Sequence, residues 1–146
     1  MRRFLSNYFD LLFLDGRPLS FVDKCSHLGH IISARLDDRC DIMSKRNSLC
    51  GKVTNVLVYF SKCDPLVKLK LLRIYCDDFY GSVVWNTSHS CIEDVCVAWR
   101  KGLRRALSLP SRTHCALLPR VTGMLPLRDE LLCRTARFIT SCLIEL

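Results

Sequence analysis

The chain has 146 residues, 49% of them hydrophobic with only six Gly and five Pro, which allows about one domain with a buried core and excludes a disordered or low-complexity chain. Its 22 basic against 14 acidic side chains leave a net charge of +8, suited to a polyanion such as nucleic acid or to solubility alone.

The opening MRRFLSNYFDLLFLDGR imitates a signal peptide, but Asn7 and Asp10 break its apolar run and no small-residue cleavage site follows, so secretion is not expected. No stretch approaches the roughly 18 apolar residues of a membrane span, and the expected location is intracellular, in cytoplasm or nucleus. Ten cysteines in that setting should be reduced; they form no C-x-x-C pair, so no zinc centre is expected. Cys40, Cys50, Cys63, Cys76, Cys96, Cys133 and Cys142 lie in apolar-periodic stretches and read as core residues.

Residues 11–33 carry an Asp15-Gly16 turn signal, Pro18 and β-friendly Phe, Val and Ile, which predicts a hairpin plus another short strand. From there on the pattern is helical. Asp37 and Asp38 start a helix that runs to about residue 60, with Ile42, Leu49, Val53, Val56 and Leu57 at apolar positions. Asp64-Pro65 starts a second, since an Asp N-cap accepts orphan amide protons and Pro at N1 has its φ preset. A third spans about 91–107, a Pro-bounded connector covers 109–118, and a last helix opens near residue 127 and reaches the end.

The second helix contains Tyr75-Cys76-Asp77-Asp78, the letters of the Tyr-x-Asp-Asp catalytic turn of reverse transcriptases, where carboxylates clamp two magnesium ions. Such a turn needs β-type residues before it. The lead-in here, VKLKLLR, is made of strong helix formers, and Arg73 and Asp77 fall at i, i+4, so Asp77 reads as surface charge on a helix.

On the third helix, Ile92, Val95, Cys96, Trp99, Leu103, Ala106 and Leu107 share an arc of about 120°, and Trp85 and Trp99 read as core. Arg100, Lys101, Arg104 and Arg105 lie together on another face, spaced to follow a phosphate backbone, with Glu93 and Asp94 at the helix start where the dipole favours them. The alternative for this face is solvation alone. Lys45, Arg46 and Lys52 on the first helix are further candidates by charge. His30, His89 and His114 have no spaced partners and read as structural or exposed.

KCSHLGHIIS, KRNSLCGKVTNVLVYF, FYGSVVW, WRKGLRRALSLPSRTHCALLP and GMLPLRDELLCR together resemble, in order, the C-terminal part of a non-LTR (LINE-type) retrotransposon reverse transcriptase. The resemblance covers nearly the whole chain. It implies that His27-Leu28-Gly29 is similar to the family's Tyr-Leu-Gly strand, which follows the catalytic turn and touches the primer, with His27 in place of the aromatic Tyr. Tyr75-Cys76-Asp77-Asp78 follows Gly29 by more than forty residues, where the family has a thumb helix ending in Tyr-Gly, so the catalytic letters are a coincidence.

The implied architecture is mainly α: residues 1–34 as a β-hairpin remnant of the polymerase palm and residues 35–146 as a helical thumb-like domain. By the resemblance, Leu28, Gly29, Lys45, Arg46, Lys52, Arg100, Lys101, Arg104 and Arg105 would contact an RNA–DNA or primer–template duplex. The chain would lack catalysis alone, with magnesium needed only by a complete parent enzyme. Further expected partners are the missing palm portion and, through an unpaired β edge, another copy of the chain; no membrane is expected. The alternatives are a stand-alone basic α-helical protein-interaction module or a truncated reading frame without function.

Overall fold

Each half of the predicted β segment folds back on itself. In the computed structural model, which describes residues 13–14, 16–18, 20 and 22–144, β1 (Phe13–Leu14) pairs antiparallel with β2 (Arg17–Pro18), Leu14 opposite Arg17. Gly16 has φ 74°, the left-handed value that the Asp15-Gly16 turn signal anticipates; Asp15 itself, like Asp10 and the signal-like residues 1–12, lies outside the described residues. In place of a lone strand there is a second hairpin: β3 (Lys24–His27) pairs antiparallel with β4 (His30–Ser33) in the register Lys24↔Ser33 to His27↔His30.

Leu28 and Gly29 are therefore not part of a strand, as the resemblance implied, but the two central residues of the hairpin turn. Both have positive φ, 48° and 78°, as a type I′ turn requires. Gly takes that conformation at no steric cost, whereas Leu rarely does. A Leu-Gly pair is thus a weak turn signal, and the second hairpin was not read from the sequence.

The chain divides into two compact units, Met1–Asp37 and Asp38–Leu146. The second consists of α1 (Arg39–Tyr59), α2 (Pro65–Cys76), a 3-10 turn (Ser82–Val84), α3 (Cys91–Ala106), α4 (Leu117–Thr122) and α5 (Leu127–Ile144). The described structure is mainly helical, with small antiparallel hairpins ahead of the helices. The short helix α4 falls partly within the expected Pro-bounded connector. Among the described residues no helix is long and apolar enough to cross a membrane.

Local chemistry sets the helix ends. Asp64 Oδ1 accepts a hydrogen bond from the Leu66 amide at 2.8 Å and Pro65 occupies the first turn, as the sequence implied. Asp38 precedes α1 but does not cap it with its side chain; its Oδ2 instead accepts from the Asn86 amide at 2.7 Å. Next to it, the Trp85 indole N–H donates to Asp41 Oδ2 at 2.8 Å, and both side chains are buried. A carboxylate in that position needs such a donor, because an unpaired buried charge is costly.

The core is built around α3, which packs against α1, α2, α4 and α5. Ile92, Val95, Cys96, Trp99, Leu103 and Ala106 are all buried, as the arc required, while Leu107 is half-buried. Gly102 faces α1 so closely that a Cβ there would stand 3.1 Å from Val53 Cγ1, which accounts for a glycine in the middle of a helix. Ile42, Leu49, Val53 and Val56 of α1 and Leu69 and Leu72 of α2 complete the packing, and Leu57 is half-buried. The expectation of core cysteines holds for Cys76 and Cys96. Cys50, Cys133 and Cys142 are exposed, because the helix faces that carry them meet no partner in this unit, and Cys40 and Cys63 are only half-buried.

Candidate nucleic-acid interface

Helix α3 brings Arg100, Lys101, Arg104 and Arg105 to its polar side, but they do not form one continuous row of solvated cations. Arg100 pairs with Glu93, two turns earlier on the same helix, and Arg128 of α5 reaches the other oxygen of that carboxylate at 3.7 Å. The hydrogen bond from Arg100, with both guanidinium charges, holds the Glu93 carboxyl below the usual range. Arg104 turns inward and donates from Nε and Nη2 to the Thr113 carbonyl oxygen at 3.0 and 2.9 Å, tying the connector to the helix. Lys101 and Arg105 are exposed, one above the other at i, i+4 on adjacent turns. The four-residue face thus separates into two cations engaged within the protein and two that point to solvent.

The candidates on α1 are likewise only partly accessible. Arg46 is half-buried, donates to Asn47 Oδ1 at 3.2 Å, and has a buried Nε without a hydrogen-bond partner. Lys52 Nζ stands 3.3 Å from Asp78 Oδ2, and Lys45 is half-buried beside it. In the other unit, Leu28 is 71% exposed, so its side chain is available at the hairpin tip rather than along a strand.

Asp77 and Asp78, expected on a helix, lie just past its end: Cys76 is the last residue of α2 and Asp77 its C-cap. Nor is Asp77 a surface charge. Its side chain is 20% exposed and its Oδ2 lies 3.0 Å from Arg134 Nη2, an ion pair that fastens the end of α2 to α5. Burial raises its carboxyl above the usual range even though Arg134 opposes that shift. Glu130 joins the same guanidinium at 3.3 Å, and Arg73 and Arg137 line the adjoining cavity of about 300 Å³. The two carboxylates of the pair are therefore directed to different cations, Asp77 to Arg134 and Asp78 to Lys52, an arrangement that does not fit the shared metal clamp of a catalytic Tyr-x-Asp-Asp turn.

Sequence reading paired Asp77 only with Arg73, at i, i+4; it missed Arg134, whose spacing is local only to Glu130, and Arg137 as parts of the charged cluster. His89 and His114, which the sequence reads as structural or exposed, both make local backbone hydrogen bonds. Each ring Nδ1 accepts from the backbone amide two residues on, Cys91 and Ala116, next to the starts of α3 and α4. Trp85 and Trp99 are both buried, as expected. No known protein family, curated protein or solved structure matches the chain.

Proposed function

We propose that the helical unit is a thumb-like nucleic-acid clamp of the kind found in non-LTR retrotransposon reverse transcriptases, and that it grips an RNA–DNA or primer–template duplex by its phosphates. In this reading the hairpins are the remnant of a palm, catalysis and its magnesium belong to a palm portion that pairs with this chain, and the setting is intracellular. The observation that carries it is the pair Lys101 and Arg105, exposed on a helix whose opposite face is fixed in the core. A rigid helix holding two solvent-facing cations can follow a phosphate backbone without reading bases. Residues 38–146 hold 17 basic against 10 acidic side chains, so the charge excess lies mostly in this unit. The ordered set of segments that resembles the family supplies the rest of the support.

A second reading, a helical protein-interaction module, draws on α5. Its Leu132, Phe138, Ile139, Leu143 and Ile144 are all exposed, and among its described residues only Leu127 and Leu131 are buried. Binding of RNA–DNA hybrids with two unrelated sequences, followed by fluorescence anisotropy across a salt series, separates the readings. The clamp should bind both hybrids alike and lose affinity linearly in log–log form, because each neutralised phosphate releases a condensed counterion. Absence of binding, or affinity that does not respond to salt, would favour the interaction module.

A further inference from the structure

The end of α2 faces α1 across a small polar cleft of about 130 Å³ whose lining includes Lys45, Ser48, Lys52, Cys76 and Asp78. Lys45, Ser48 and Lys52 recur at i, i+3 and i+7, so they share one face of α1. The Asp78 carboxylate is bound there much as a free oxyanion would be. Lys52 Nζ approaches its Oδ2 at 3.3 Å, the Tyr80 backbone amide donates to it, and the charge of Lys45 acts on it too. Those contacts hold the Asp78 carboxyl below the usual range, the Lys52 hydrogen bond first among them. The thiol of Cys76 at the cleft is pushed up to about 11 by burial, so it stays neutral and adds no competing negative charge.

We propose that this cleft is a phosphate subsite, lined by Lys45, Ser48 and Lys52, at whose wall Asp78 engages Lys52 and the Tyr80 amide as an internal competitor until a phosphate displaces it. The Asp78 side chain is 63% exposed and that of Lys52 39%, so the carboxylate can swing into water and leave the lysine pair to an incoming anion. A solvated ion pair of this kind holds its partners weakly and is screened by salt, which makes the exchange accessible. The lysines supply charge, while the hydroxyl and the amide donate to oxygens, a set that recognises phosphate without selecting a base. Backbone phosphates of a duplex and free phosphates share this chemistry. The nucleic-acid source rests on the clamp reading; the subsite itself does not.

The test uses the full chain with Asp78→Asn, Lys45→Ala and Lys52→Ala variants and inorganic pyrophosphate as the probe, titrated by calorimetry and by the Tyr80 amide signal in NMR. Asp78→Asn should tighten pyrophosphate binding about two- to fivefold, the effect of relieving one exposed ion pair, with the Tyr80 amide shifting on titration. Lys52→Ala or Lys45→Ala added to it should abolish the gain. If an RNA–DNA hybrid tightens by the same factor, the phosphate belongs to a duplex backbone; if only pyrophosphate does, the subsite takes free phosphates. Unchanged pyrophosphate affinity in Asp78→Asn, or a gain that survives both lysine replacements, would overturn the proposal. Loss of the clamp reading would appear elsewhere, as hybrid binding indifferent to Lys101 and Arg105.

Discussion

The two sides of helix α3 differ in what fixes them. On the core side, Trp99, Leu103 and Ala106 are buried where α3 packs against its neighbouring helices, because burial of apolar area is non-directional and needs no specific partner atom. On the polar side, residues of one chemical class meet different fates: Arg100 closes on Glu93, Arg104 on the Thr113 carbonyl, while Lys101 and Arg105 remain in water. Apolar spacing thus specifies where a side chain goes, but basic spacing specifies only where a charge is available. Its use depends on acceptors brought in by the rest of the fold.

Substitutions along α3 should grade accordingly. Trp99→Ala should cost about 3–5 kcal/mol, read from urea unfolding, since it deletes the largest buried side chain of the helix; a loss under ~1 kcal/mol would mean that the core side is less fixed than described. Gly102→Leu should cost about 1–3 kcal/mol, because its side chain must displace Val53 from a contact already near 3.1 Å. Arg104→Ala should cost about 1 kcal/mol by leaving the Thr113 carbonyl without its two donors, and hydrogen exchange should rise in the 109–116 connector. The Glu93 pairing should be smaller still. Its carboxyl is held below its unfolded value, so the native state binds fewer protons: the contribution is complete above the ordinary Glu value of 4.5 and is lost as pH falls through the lowered one. Glu93→Gln should therefore lower thermal stability slightly at neutral pH, where the contribution is complete, remove its pH dependence across that acidic window, and match the parent below it.

The same contrast explains what was legible in advance. The Asp64-Pro65 start and the apolar arc of α3 are local: cap and amide are two residues apart, and the arc repeats with the helix turn. Lys52 and Asp78 are 26 residues apart and Trp85 and Asp41 44 apart, so no spacing rule links them, and Asp77 looked exposed because its partner, Arg134, lies in the last helix. Cys50, Cys133 and Cys142 looked buried for the complementary reason: apolar periodicity shows which face could be covered, not whether a neighbour covers it. At the Leu28-Gly29 turn, a non-Gly residue at φ 48° overrode the composition rule that would have marked it.

The division of the basic face is tested most directly by salt-dependent binding of one RNA–DNA hybrid to the parent chain, to Lys101→Ala with Arg105→Ala, and to Arg100→Ala. The double replacement should lower the slope of log affinity against log salt by about two, one per lost phosphate contact, while unfolding stability stays within about 0.5 kcal/mol of the parent. Arg100→Ala, which removes a cation already engaged by Glu93, should leave the slope close to the parent value. An unchanged slope in the double replacement, or an equal fall in Arg100→Ala, would contradict the account.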